Sequence, residues 1–152
     1  MIQKSKKNIL KFGGFLLAIF LLYKLANAFA PGSYPYAEHY EFNYSEQKVV
    51  EAIEIIKREN INLKVGKGWE DTNPADHWNH IYFNFHNRML LTWLRSNGDN
   101  NTTFAFVSVQ DKNSNWKSIN NDFGYFENQK IKKEFEKEIV EKIKKQLMKS
   151  SH

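Results

Sequence analysis

The chain reads as an α+β protein. An N-terminal apolar helix leads into a two-layer sandwich, in which an antiparallel meander of three to four strands is flanked by an N-terminal and a C-terminal helix. Three patterns predict it. Between residues 80 and 110, apolar-alternating runs follow one another across short polar connections, as hairpin-linked strands do. Before them Val49, Ala52, Ile53 and Ile56 recur at helical spacing, and after them Ile131, Phe135, Ile139, Ile143 and Leu147 make one apolar stripe. Ahead of everything lies a lysine-flanked apolar run too long for a strand.

That run extends from residue 12 to residue 30, broken once by Lys24 and preceded by Lys4, Lys6, Lys7 and Lys11. Two uses of it are open. As a signal peptide, 12–23 is the hydrophobic core and Ala26-Asn27-Ala28 the small-x-small site, with cleavage after Ala28 releasing a periplasmic domain. As a transmembrane helix, 12–30 reaches about 28 Å at ~1.5 Å per residue, enough for the hydrocarbon layer, with Lys24 snorkelling to the exit side. Either way, no Lys or Arg follows Lys24 until Lys48. Positive-inside bias then puts the N-terminus in the cytoplasm and the rest outside it, as a single-pass protein of the cytoplasmic membrane if uncleaved. The chain divides into an anchor or signal peptide, 1–30, a linker, 31–44, marked by Pro31, Gly32 and Pro35, and a small α+β domain, 45–150.

Within the domain, Ser45 is a suitable N-cap for a helix ending near Asn60. Residues 61–65 alternate and read as a short strand, and 69–79 are polar and irregular. The strand 80–86 puts Ile81, Phe83 and Phe85 on one face and His80, Tyr82, Asn84 and His86 on the other. Asn87-Arg88 connects it to the strand 89–95, and a turn centred on Asn97-Gly98 leads to the strand 102–110. Residues 112–121 read as a loop anchored by Trp116 and Ile119, and the last helix spans 128–148.

Charge is segregated along the chain. Of 22 basic residues five precede residue 29, where no acidic residue occurs, so the remaining 17 balance the 17 acidic ones. The domain therefore has no net basic field to hold a phosphate backbone, and no nucleic-acid partner is expected. Cysteine is absent, which excludes disulfides, thiol nucleophiles and Cys-ligated metals.

No motif names a reaction. The richest stretch, 69–80, holds Trp69, Asp76, His77, Trp78 and His80. A metal could be drawn from His77, His80 and His86 with Asp76, yet no His-Glu-x-x-His helix is present, and no metal or cofactor is expected. A hydrolase or metal-binding enzyme built on residues 76–80 is the alternative reading. The aromatics point elsewhere: Trp69, Trp78, Trp93 and Trp116, with Tyr82, exceed what one helix-covered face of a thin sheet can bury. Either these aromatics form an exposed partner surface, with the four tryptophans as candidate binding residues, or the loops 69–79 and 112–121 fold over that face and bury it. The expectation is a non-enzymatic binding protein of the bacterial envelope, an accessory subunit or inhibitor, with a protein partner and with the membrane met through residues 12–30.

Overall fold

A computed structural model describes residues 14, 16–22, 34–66 and 78–150. The chain forms two compact units, Met1–Pro35 and Tyr36–His152. In the first, residues 16–22 are helical. The rest of the expected apolar helix and the Ala28 site lie outside the described residues. Among the described residues no helix is long and apolar enough to cross a membrane.

The second unit is α+β. Its strands are β1 (Glu38–Phe42), β2 (Asn79–Phe85), β3 (Arg88–Ser96), β4 (Thr102–Asp111) and β5 (Lys117–Ser118). Its helices are α1 (Glu46–Glu59), α2 (Tyr125–Phe135) and α3 (Glu141–Lys149), the last two joined without a break by a π-helical segment, Glu136–Val140. All strand pairs are antiparallel, in the order β1-β4-β3-β2. The outer edge of β4 is shared: residues Thr102 to Phe106 pair with β1, and Ser108 and Val109 pair with β5. Between these halves the register against β3 shifts by one residue, so Val107 is the extra residue of a bulge.

Two segments depart from the sequence reading. Residues 38–42, read as linker, form β1, where Tyr40 and Phe42 point to the core and His39 and Glu41 point away. Residues 61–65, read as a strand, contain instead a 3₁₀ turn, Ile61–Leu63, which buries only Leu63. Asn60 causes it: it ends α1, and its side-chain oxygen accepts the N–H of Asn62 at 3.2 Å, turning the chain before it can extend.

One hydrophobic core joins the sheet to the helices. Phe42, Phe104, Phe106, Val109, Leu90, Leu94, Ile81 and Phe83 from one sheet face meet Val49, Ile53 and Ile56 of α1 and the Ile131–Leu147 stripe. Phe135 is its centre, stacked on Phe106 at 4.1 Å and on Phe104 at 5.8 Å between ring centroids. Ile119, from the loop after β5, is fully buried here, as its expected anchoring role requires. Thr92 shares this face, and its buried hydroxyl donates to the Ile81 carbonyl at 2.7 Å.

The π-helical segment follows from the stripe. A repeat of four residues overshoots an α-helical turn by about 40° at each step, so five such positions drift by ~160°. A wider turn absorbs the drift: the N–H of Glu141 bonds to the Glu136 carbonyl, five residues back. Ile139 and Val140 are in consequence both fully buried.

Candidate functional site

The sheet face turned away from the helices is built from the alternate residues of the same strands. Pairing sets His80 of β2 opposite Trp93 of β3, and Tyr82 opposite Leu91. Trp93 is in turn opposite Ala105 of β4, which is opposite His39 of β1. An antiparallel sheet commonly presents polar side chains on its second face. Here that face is aromatic. Trp78, just before β2, meets Trp93 edge-on with ring centroids 4.5 Å apart, and His39 meets Trp93 from another side at 5.4 Å. The Arg95 guanidinium sits 5.3 Å from the Trp78 ring, a cation–π distance. One strand pair further along, Trp116 from the connection to β5 packs on Tyr82 at 6.4 Å.

Burial divides this group. Trp93 is 4% exposed, whereas Trp78, His80, Tyr82, Leu91 and Trp116 are half-buried. The indole N–H of Trp93 is fully buried and meets no hydrogen-bond acceptor among the described residues. A buried donor left unpaired costs about 1–3 kcal/mol.

The structure thus brings together three of the four tryptophans singled out from the sequence: Trp78 with Trp93 directly, and Trp116 on the same face through Tyr82. Trp69 lies outside the described residues, as do Asp76 and His77. His86 does not share the strand face of His80. It occupies the turn after β2 with a left-handed φ of 51°, its ring 4.2 Å from Phe85. The strand ends one residue sooner than the alternation predicts, which removes His86 from any grouping with His80. Among the described residues no three His, Asp or Glu side chains come together to hold a metal. His39 and Arg95 are members that sequence reasoning missed. Arg95 could have been found two residues from Trp93 on the same strand face; His39 needed β1, which Pro31 and Pro35 just before it disguised.

Elsewhere the surface of the described residues carries indentations, of which two are the larger. A groove of about 430 Å³ runs between α2 and the β2–β3 hairpin, lined among others by His86, Arg88, Glu127, Lys130 and Glu134. Arg88 is committed there to Asp111 by an ion pair of 2.8 Å. A second, of about 420 Å³, lies between the ends of α1 and α3 and is rimmed by Glu59, Lys142, Lys145 and Lys149. The first mixes acids and bases and the second sets three lysines beside one glutamate, both on helix faces open to solvent, with no converging reactive set. The tryptophan face is the stronger candidate site. Comparison with known protein families, with curated proteins and with solved structures finds no match for the chain.

Proposed function

We propose that this chain is a non-enzymatic binding protein of the bacterial envelope whose domain holds a protein partner on its tryptophan face. In this reading residues 12–30 anchor it in the cytoplasmic membrane, or residues 1–28 are removed as a signal peptide, and the domain works on the outer side. One observation carries the reading: the sheet face turned away from the described helices bears Trp78, Tyr82, Trp93, Trp116 and Arg95 where polar side chains are the ordinary choice. Tryptophan, tyrosine and arginine are the residues that dominate binding energy at protein interfaces. The half-buried rings around a buried Trp93 form a firm platform, since their contacts with one another already restrict their rotamers. The charge balance of the domain adds that such a partner is held by shape and apolar contact more than by long-range attraction.

Co-purification tests this. The full chain is cross-linked in cells and isolated in detergent, beside a variant carrying Tyr82→Ala and Trp116→Ala. The expected result is a stoichiometric protein retained by the wild type and reduced at least ~10-fold in the variant, the loss of two interfacial anchors. Circular dichroism of both proteins guards against unfolding. Equal retention of every partner by folded wild type and variant overturns the proposal.

A further inference from the structure

The tryptophan face carries a titratable row. Strand pairing aligns His39 of β1, Ala105 of β4, Trp93 of β3 and His80 of β2 across the sheet, so the buried indole lies between two imidazoles. Ala105 is small enough for the His39 and Trp93 rings to meet over it, with centroids 5.4 Å apart. His39 is exposed and His80 half-buried. Both therefore lie within the surface that a partner seated on Trp78 and Trp93 must cover.

Histidine is the side chain whose charge ordinarily changes between pH 5 and 8. A neutral imidazole extends an apolar surface. An imidazolium covered by an apolar partner loses its hydration, which disfavours the charged form. The register shows which other charged and titratable groups of the described residues face this row: Arg95 of β3 and Glu41 of β1 on one side, Tyr82 of β2 on the other. Glu38 borders His39 along β1. Both acids are already hydrogen-bonded, Glu41 by the Thr103 hydroxyl at 2.8 Å and Glu38 by Lys132 and Asn120. Arg95 brings like charge to the same rings, 5.3 Å from Trp78.

From this row we infer that His39 and His80 make binding at the tryptophan face sensitive to pH: the partner is held while both imidazoles are neutral and released as they take up protons. The inference rests on the reading of this face as a partner surface. Its sign follows from linkage. The complex excludes protons that the free domain accepts, so acidification favours the free domain. Each excluded proton weakens affinity by up to ~10-fold per pH unit below the titration of the free histidine.

The test uses the protein that cross-linking captures on the full chain. It is loaded without cross-linker on the immobilised full chain in detergent at about pH 7.5, and the column is divided and washed at about pH 7.5 or about pH 5.5, on either side of the histidine range. Wild type, His39→Gln and the double variant His39→Gln with His80→Gln are compared, each checked by circular dichroism at both pH values. Wild type should lose at least ~10-fold of the retained protein at the lower pH, His39→Gln clearly less, and the double variant under about 2-fold. If the double variant does not fold, the exposed position 39 decides alone. Retention by wild type that is unchanged or stronger at the lower pH overturns this inference and leaves the partner surface standing. A loss of the same size in the variants assigns the titration to other groups and also overturns it. No protein retained by wild type at about pH 7.5 overturns the partner surface and the inference together.

Discussion

Glu38 shows how one side chain ties three elements together. Its carboxylate, at the start of β1, accepts from Lys132 of α2 at 2.9 Å and from Asn120 at 2.9 Å. Asn120 holds a left-handed φ of 63°, a conformation asparagine tolerates better than most residues, and its own N–H bonds to the Asn128 side chain at 3.1 Å. Partial burial works against the charged form of Glu38, but the hydrogen bonds from Asn120 and Lys132 and the Lys132 charge outweigh it, so the carboxyl sits below its ordinary range. A carboxylate with a lowered folded-state pKa adds stability above its unfolded value, near 4.3, and that contribution fades as pH falls through the folded value. Glu38→Gln should therefore cost about 0.5–1.5 kcal/mol at neutral pH, a modest figure because the side chain is 34% exposed and solvent screens the pair. Below roughly pH 4 the difference from wild type should shrink. Urea unfolding midpoints measured across pH check both parts, and a difference independent of pH would show that the charge is not what matters. Tyr40, two residues on, is perturbed oppositely: burial first, then the charges of Glu38 and Glu136, push its phenol well above the ordinary tyrosine value.

At the scale of elements, the β2–β3 hairpin makes the sharpest demand on its residues. His86 and Asn87 form the two-residue connection, with φ of 51° and 62°. Left-handed values at both positions define the type I′ turn, whose preferred sequence is Asn-Gly. Replacing the pair by His86→Asn together with Asn87→Gly should raise stability by ~0.5–2 kcal/mol, read as a higher thermal midpoint at pH 7. A lower midpoint would mean that the His86 ring on Phe85 is worth more than the relief of backbone strain. The same hairpin shows what periodicity reveals and what it conceals. Alternation assigned Ile81, Phe83 and Phe85 to one face correctly. It could not reveal that Val107 is a bulge, because a one-residue shift depends on which strand lies alongside. The stripe from Ile131 to Leu147 was legible as a helix face, while the π turn that keeps it on one side follows only from the arithmetic of its four-residue spacing. For β1 the alternating signal was there in Tyr40 and Phe42, outweighed by Pro31, Gly32 and Pro35 just before it. Most of the candidate site was within reach of such reasoning: the tryptophans announce themselves by size and Arg95 by sharing a strand face with Trp93, but His39 acquires meaning only when distant strands are paired.

Charge and core lie in separate stretches of the chain. Residues 1–28 hold the whole excess of positive charge, and the unit Tyr36–His152 has the core. Every buried member of that core lies between Phe42 and Leu147, and the hydrogen bond at the Tyr36 carbonyl is the earliest tie described within the unit. With no cysteine to cross-link it, the unit is held by non-covalent packing and hydrogen bonding. A domain of this size, with one contiguous core and short-range antiparallel pairing, ordinarily unfolds in a single step. A chain beginning at Tyr34 and ending at His152 should therefore fold without residues 1–33. In urea its tryptophan fluorescence and far-ultraviolet circular dichroism should give one coincident transition, at a midpoint matching that of the full chain in mild detergent. Non-coincident transitions, or strong binding of a hydrophobic dye to a form with helix signal but no cooperative melt, would show that the apolar stretch completes the fold. The partner contact proposed above would then have to be reassigned, since the tryptophan face is a surface only if the core closes without residues 1–33.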